Sequence, residues 1–148
     1  MLEVIIPIVV LLLAGAGYLI RQIYIEPVKR FRLIKEDIAG ALEYYANVYS
    51  NPIVINPELE FPENYSQASA SIRKLGTELK ACIQELPDNK LVRFVFGLPS
   101  HELIREASKN LIGISNGMSC NSDNMVFRLI DMNHKRRDEI REFLRIKP

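Results

Sequence analysis

The side chains best suited to binding or catalysis in this 148-residue sequence are concentrated in one short segment, YYANVYSNP. Tyr44, Asn47, Ser50 and Asn51 place hydroxyl and amide groups at the end of a predicted helix, and Arg73 could offer an anion site opposite them. Hydroxyls and amides at a helix end usually pair with its free carbonyl groups and start the following turn. We therefore favour a structural role for these residues, with contact to a ligand or partner as the alternative.

The residues that most often bind metals or act as nucleophiles are few and scattered. His101 follows a predicted helix cap and His134 opens a basic run, so both are interpreted as exposed polar residues. Cys82 lies on an apolar helix face and Cys120 in a loop, without the CxxC spacing of many zinc or redox sites. We expect no metal ligand, no cofactor-binding residue and no catalytic residue.

Longer functional signatures are also missing from the sequence. Glu58, Glu60 and Glu63 form an acidic string, but a solvated loop edge explains them better than a metal site does. No GxxxxGK[ST], HExxH, GxSxG or GxGxxG motif is present. A net charge of +1 disfavours a nucleic-acid binder. The sequence therefore predicts a protein that is not an enzyme and has no nucleic-acid partner.

The first twenty residues differ in composition from the rest of the chain. They contain 16 apolar side chains and one charged residue, Glu3, whereas the other 128 residues carry 36 of the 37 charged groups. The uncharged run VIIPIVVLLLAGAGYLI, residues 4–20, would rise about 26 Å as a helix, near the ~30 Å thickness of a bilayer's hydrocarbon core. The sequence predicts a transmembrane anchor and juxtamembrane segment in residues 1–26 and a helical domain in residues 27–148.

The apolar run has two other interpretations, a cleaved signal peptide and a buried core helix. The segment Ala14-Gly15-Ala16 fits the small-residue pattern of a signal-peptide cleavage site. However, no basic residue precedes the run, and the run continues through Tyr18 to Ile20, beyond that site. A buried core helix is disfavoured because the run is apolar on every face. We therefore favour an uncleaved anchor.

The orientation of the anchor is predicted from the basic residues that follow it. Residues 21–35 carry a charge of +5 − 1 = +4, because only Glu26 opposes their cations. Positive charge is retained on the cytoplasmic side, so we expect a single-pass protein of the cell membrane with its N-terminus outside and its domain in the cytoplasm. Binding of anionic lipid headgroups is the alternative role of these residues. The juxtamembrane basic residues are Arg21, Lys29, Arg30, Arg32 and Lys35.

Apolar periodicity predicts a series of helices in the domain. The first extends from Pro27 to Asn51-Pro52, the second from a capping-box-like pair at Asn64 and Gln67 to Pro87, and the third from a cap at Ser100 to about Ser115. The predicted inward faces are Phe31, Ile34, Ile38, Ala41, Tyr45 and Val48 in the first, with Val28, Leu42 and Tyr49 on the flank, Ala68, Ile72, Leu75, Leu79, Cys82 and Leu86 in the second, and Ile104, Ala107, Leu111 and Ile114 in the third.

The fourth helix is expected to begin near Ser122 or Asp123 and to break near Asn133, after a loop at residues 116–122. The Pro-rich connection, residues 51–64, cannot be helical, and its apolar side chains should keep it across the bundle. These side chains are Ile53, Val54, Ile55, Leu59 and Phe61.

The segment KLVRFVFG, residues 90–97, has three candidate structures. A short helix buried in the core is favoured, with a patch in the membrane interface or a strand as alternatives. A protein-covered position is preferred because Pro87 and Gly97-Leu98-Pro99 confine both ends, and Phe94 would then be a core residue. Together these elements predict an all-α fold, in which a transmembrane helix precedes a small antiparallel bundle.

Three segments carry a resemblance to a known group of proteins. YANVYSNP, RKLGTELKA at residues 73–81 and LIGISN at residues 111–116 resemble a group of uncharacterised bacterial membrane proteins with one N-terminal span and a helical cytoplasmic domain. The resemblance implies that same architecture for this chain. It implies no activity, cofactor or catalytic residue.

Three functional hypotheses follow from these observations. The leading hypothesis is a membrane-anchored helical module that binds a protein partner at the bilayer surface. The second is a small enzyme or lipid-handling protein with a site between YANVYSNP and the Pro-rich connection. The third is a small membrane-active toxin or regulator.

Overall fold

The N-terminal third of the chain forms one continuous helix. The computed structural model describes residues 2–56, 58 and 60–147, beginning with helix α1, Leu2–Ile20. A π-helical turn, Arg21–Ile25, leads directly into α2, Glu26–Tyr44. The backbone N–H of Glu26 donates to the carbonyl of Arg21, five residues earlier. A wider turn at this point accommodates Pro27, which has no N–H to donate and whose ring would crowd a normal α-helical turn.

The apolar part of this helix is not covered by the rest of the chain. Between Val9 and Tyr44 it is long and apolar enough to cross a membrane by length and composition, and none of its most apolar window is buried. Among the side chains that the structure describes, the first buried one is Val28. The hydrophobic core therefore begins only after the π-helical turn.

Four helices pack into an antiparallel bundle. They are α2, α4 at Glu63–Cys82, α6 at His101–Asn116 and α7 at Asp123–Leu144. Ser69 meets Ser115 while Gly76 meets Ser108, so α4 and α6 run in opposite directions. Asn110 meets Glu139 while Gly117 meets Asn133, so α6 and α7 do as well. The predicted all-α fold is confirmed.

The core contains most of the side chains expected to face inward. All six predicted residues of α4 and its following turn are buried, as are the four predicted residues of α6. In α2 the predicted residues Phe31, Ile34 and Ile38 are buried, whereas those beyond them, Ala41, Tyr45 and Val48, pack against the core but are only partly buried. The helix is interrupted at Tyr45, and a short helix α3, Ala46–Ser50, follows in a different register. Leu42 and Tyr49 are therefore the buried residues in this region.

Of two helix caps predicted from the sequence, one is present in the structure and the other is not. Ser100 caps α6, because its hydroxyl oxygen accepts a hydrogen bond of 3.2 Å from the backbone N–H of Leu103. The capping box expected at Asn64 is wrong, because α4 begins one residue earlier, at Glu63. The Gln67 amide instead donates to the Glu63 carboxylate over 2.7 Å.

A short parallel strand pair joins two segments that were expected to lack regular structure. Strand β1, Ile53–Val54, pairs with β2, Ser119–Cys120. The pairing holds part of the Pro-rich connection against the bundle, where Ile53 and Val54 are half-buried. Ile55 and Phe61 remain exposed, contrary to the expectation that they are covered. Leu59, which belongs to that expectation, lies outside the described residues.

The last helix, α7, continues without the break expected near Asn133. Asn133 is fully buried, and its amide donates to the carbonyls of Tyr49 and Gly117, both over 2.9 Å. In a sequence, a polar residue within an apolar helical pattern can suggest that the helix breaks there. Here its side chain instead joins α7 to α3 and to the end of α6.

The segment KLVRFVFG is helical but does not lie in the core. Helix α5, Lys90–Phe96, is capped by the Asn89 side chain and ends at Gly97, whose φ of +66° suits glycine. Phe94 is 84% exposed, so the expected burial of its ring is wrong. The tight connection confines the position of α5 but does not turn its apolar face inward.

Candidate functional site

Among the polar residues of YYANVYSNP, Asn51 completes the backbone structure at the end of α3. The Asn51 amide donates to the carbonyl of Asn47 over 2.7 Å, and the Tyr65 hydroxyl donates to the carbonyl of Asn51 over 2.6 Å. Ser50 is half-buried, whereas Tyr44 is exposed and its ring packs edge-on against Tyr45. These contacts give the helix end the partners that hydroxyls and amides usually provide.

Arg73 has a separate role from that group. Its guanidinium donates to the Asn116 side chain across the interface between α4 and α6. Arg73 follows Tyr65 by eight residues, or about 12 Å along a helix. Among the described residues, the side-chain hydrogen bond of Arg73 is to Asn116, whereas Asn47 and Asn51 bond to each other. Five of the more pronounced clefts in the described part of the chain are lined by other residues. Ligand or partner contact at Tyr44, Asn47, Ser50, Asn51 and Arg73 stays a prediction.

The cysteines occupy positions with little exposure to solvent. Cys82 lies in the core, and burial raises the pKa of its thiol to about 11, with a further contribution from Glu85. The Cys120 thiol lies 3.3 Å from the carbonyl of Ser122. A thiolate is the reactive form of cysteine, so burial makes Cys82 a poor nucleophile at neutral pH.

The histidines are less exposed than the sequence suggested. His101 Nδ1 lies 3.4 Å from the Asp88 carboxylate, which favours the charged ring. Burial and then the nearby Arg93 have the larger effect, and together they lower the pKa of His101. His134 is half-buried, and its ring lies edge-on to that of Tyr49. Within the described residues, no group of three or more His, Cys, Asp or Glu side chains is arranged to hold a metal ion.

The juxtamembrane basic residues make contacts that the sequence did not indicate. Arg21 pairs with Glu26 at 3.0 Å, and Arg30 pairs with Glu85 beyond the end of α4. Arg32 donates to the carbonyl of Phe96 over 3.4 Å. Two further members complete the group: the ammonium of Lys35 donates to the carbonyl of Arg145 over 3.0 Å, and Lys29 is exposed. Several of these cations therefore also join α2 to other parts of the domain.

The surface features that the sequence did not predict are exposed apolar side chains at both ends of the bundle. We call the end of the bundle that is farther from α1 the distal end. It contains the end of α2, the starts of α4 and α7, and the strand pair. The distal cleft, of about 230 Å³, lies in the Pro-rich connection, and Met125 and Phe127 are exposed at the start of α7. The residues lining this cleft are Ile53, Val54, Ile55, Asn56, Glu60, Phe61 and Pro62.

The proximal end of the bundle carries α5. A groove of about 240 Å³ separates α5 from the end of α1 and the π-helical turn that follows it. Apolar and aromatic side chains line it: Ile20, Tyr24, Leu91, Val92, Val95 and Phe96. A short helix was the favoured structure for this segment, but its position beside Ile20 and Tyr24 depends on tertiary packing.

Comparison with known proteins gives no assignment. No protein family, no curated protein and no solved structure matches the chain. The resemblance to uncharacterised single-span proteins therefore stays a prediction. The fold itself defines the class: an all-α protein in which a long apolar N-terminal helix leads directly into a four-helix bundle.

Proposed function

We propose that this protein is a membrane-anchored helical module that binds a protein partner through the distal cleft. The observation that carries the proposal is the exposed apolar surface at the end of the bundle farthest from the N-terminal helix. Ile55, Phe61 and Phe127 are all exposed there. Monomeric soluble proteins rarely expose large contiguous apolar patches, and such patches often bind other proteins.

Membrane anchoring is supported by the N-terminal helix. Its apolar residues from Val9 to Ile20 are exposed and it continues without a loop into α2, so the bundle would lie close to the bilayer. The local charge of +4 in residues 21–35 supports a cytoplasmic domain in a single-pass protein of the cell membrane. A partner would then be recruited to the cytoplasmic face of that membrane.

The distal cleft suits an extended apolar segment of a partner. Ile53 and Ile55 direct their backbone N–H groups toward β2, where they donate to the carbonyls of Met118 and Cys120. Backbone N–H groups alternate in direction along a strand, so the N–H of Val54 is directed toward the side of β1 that faces away from β2. A peptide added at that side would gain backbone hydrogen bonds, and the apolar lining would accept its side chains.

Site-specific photo-crosslinking in cells tests this proposal with the full chain. A photoreactive amino acid at Phe61, which lines the distal cleft, should form a discrete adduct with another protein. Lys109 is a matched control, because it is exposed on α6 but does not line the cleft. An Ile55→Asp substitution should reduce the Phe61 adduct. No adduct at Phe61, or equal adducts at Phe61 and Lys109, would contradict the proposal.

A further inference from the structure

Helix α5 has its charged and apolar side chains arranged in the opposite way from a helix on a soluble protein. Arg93 is directed inward and is 9% exposed, whereas Leu91, Phe94 and Val95 are 71%, 84% and 70% exposed. Surface helices of soluble proteins normally direct apolar residues toward the core and charged residues toward water. The outward face of α5 is therefore suited to an apolar environment.

The three exposed residues form a single surface. Leu91, Phe94 and Val95 are separated by three and four positions, which places them on one side of the helix. Leu91 and Val95 also line the groove shared with Ile20 and Tyr24. The outward face of α5 is thus continuous with the apolar surface of the N-terminal helix.

The position of α5 along the N-terminal helix fixes its depth relative to a bilayer. Ile20 is the last residue of the apolar run, and Tyr24 lies about one turn beyond it in the π-helical segment. If α1 spans the bilayer, these residues lie where hydrocarbon meets the headgroups, a region that favours aromatic and amphipathic groups. Because α5 lies beside both residues, its exposed face lies at the same depth.

Local contacts hold α5 in this position. The Asn89 side chain accepts a hydrogen bond of 2.8 Å from the N–H of Leu91, and Gly97 ends the helix. At the other end, Arg32 of α2 donates to the carbonyl of Phe96 over 3.4 Å. The orientation of α5 is therefore tied to the helix that continues from α1.

We propose that α5 is an interfacial helix that inserts Leu91, Phe94 and Val95 into the same bilayer that the N-terminal helix spans. The lipid surface is the occupant of the groove between α5 and the end of α1. This second contact would hold the bundle against the membrane at a fixed angle, with the distal cleft directed away from the lipid. The inference rests on the proposed membrane anchor.

Tryptophan fluorescence tests the proposal, because the sequence contains no tryptophan. Full-length variants with Phe94→Trp, Phe127→Trp or Leu12→Trp would be reconstituted in vesicles of phosphatidylcholine and phosphatidylglycerol. A matched set of vesicles would contain phospholipids brominated on their acyl chains, which quench fluorophores in contact with them. Phe127 is the control for Phe94, because it is 80% exposed at the distal end of the bundle.

The expected result is a blue-shifted emission from Phe94→Trp and several-fold stronger quenching by brominated lipid than for Phe127→Trp. Leu12→Trp should be quenched as well. Quenching of Leu12→Trp with none of Phe94→Trp would overturn the interfacial helix while leaving the anchor intact. Absence of quenching at both positions would overturn the anchor and the inference together. A blue shift of Phe94→Trp that depends on protein concentration and not on lipid would assign its face to a second copy of the chain, which also overturns the proposal.

Discussion

At the scale of single residues, Asn133 joins three elements of the fold. Its amide donates to the carbonyls of Tyr49 and Gly117, and thereby joins α7, α3 and the turn after α6. A Cβ atom at Gly117 would lie 2.5 Å from Asn133 Oδ1, so the close approach requires glycine. Both partners are backbone carbonyls. Asparagine and glutamine are the side chains that carry a neutral amide with two N–H donors.

Replacement of Asn133 should therefore lower the free energy of unfolding. In Asn133→Ala two buried carbonyls lose their donors, which should cost about 2 to 4 kcal/mol. Asn124→Ala is a matched control, because Asn124 is exposed on the same helix and both changes gain similar helix propensity. Denaturant unfolding of the full chain in detergent micelles would measure the difference. Equal stability of the two variants would show that the Asn133 network does not stabilise the fold.

The sequence could not identify this role for Asn133. Within α7 it is one polar residue among many, and the partners that define its role are 84 and 16 positions away. Within YYANVYSNP, the Asn51 amide donates to the carbonyl four residues earlier, a contact that local rules predict. Local contacts are predictable from sequence because the backbone geometry fixes them, whereas the Asn133 contacts depend on how three elements pack.

At the scale of elements, α4 and α6 show where periodicity is most informative. Each has one apolar face and each packs that face into the bundle, so every predicted inward residue is buried. Helix α5 has the same kind of periodicity with the opposite outcome. An apolar face predicts that a residue avoids water, but the sequence does not specify whether protein or lipid covers it. The interruption at Tyr45 was missed for a related reason, since the apolar spacing continues across it with a changed set of buried residues.

The contrast between α6 and α5 gives a direct comparison of two leucines. Leu111 is fully buried in α6, and Leu111→Ala should cost about 2 to 5 kcal/mol, as large-to-small changes in cores do. Leu75→Ala in α4 should have a cost of the same order. Leu91→Ala makes the same chemical change on the exposed face of α5 and should have little effect in detergent-solubilised protein unfolded by denaturant. A larger loss for Leu91→Ala than for Leu111→Ala would contradict the assignment of inward faces.

At the scale of the whole molecule, the two ends of the bundle have different surroundings. The proximal end meets α1 and carries α5, whereas the distal end carries the strand pair and the cleft. Among the described side chains the core begins at Val28, so the apolar residues of α1 do not contribute to the core of the bundle. Composition alone indicated that the apolar N-terminal run differs from the rest of the chain. The direction of each surface required the antiparallel order of the helices, which places sequence-distant segments at the same end.

The whole molecule has a predicted orientation in the membrane, with the bundle on the cytoplasmic side. The cations that follow the apolar run should retain the bundle in the cytoplasm, so a reporter fused after Pro148 should be active only in a form that functions there. Lys29→Glu is the most informative substitution, because Lys29 is exposed, whereas Arg30 contacts Glu85 and Arg32 contacts Phe96. It changes the local charge from +4 to +2 without removing those contacts and should increase the fraction of inverted protein. Lys109→Glu makes the same change in net charge far from the apolar run and should leave orientation unchanged. Activity of a periplasmic or lumenal reporter in the unmodified chain would show that the bundle lies on the other side of the membrane.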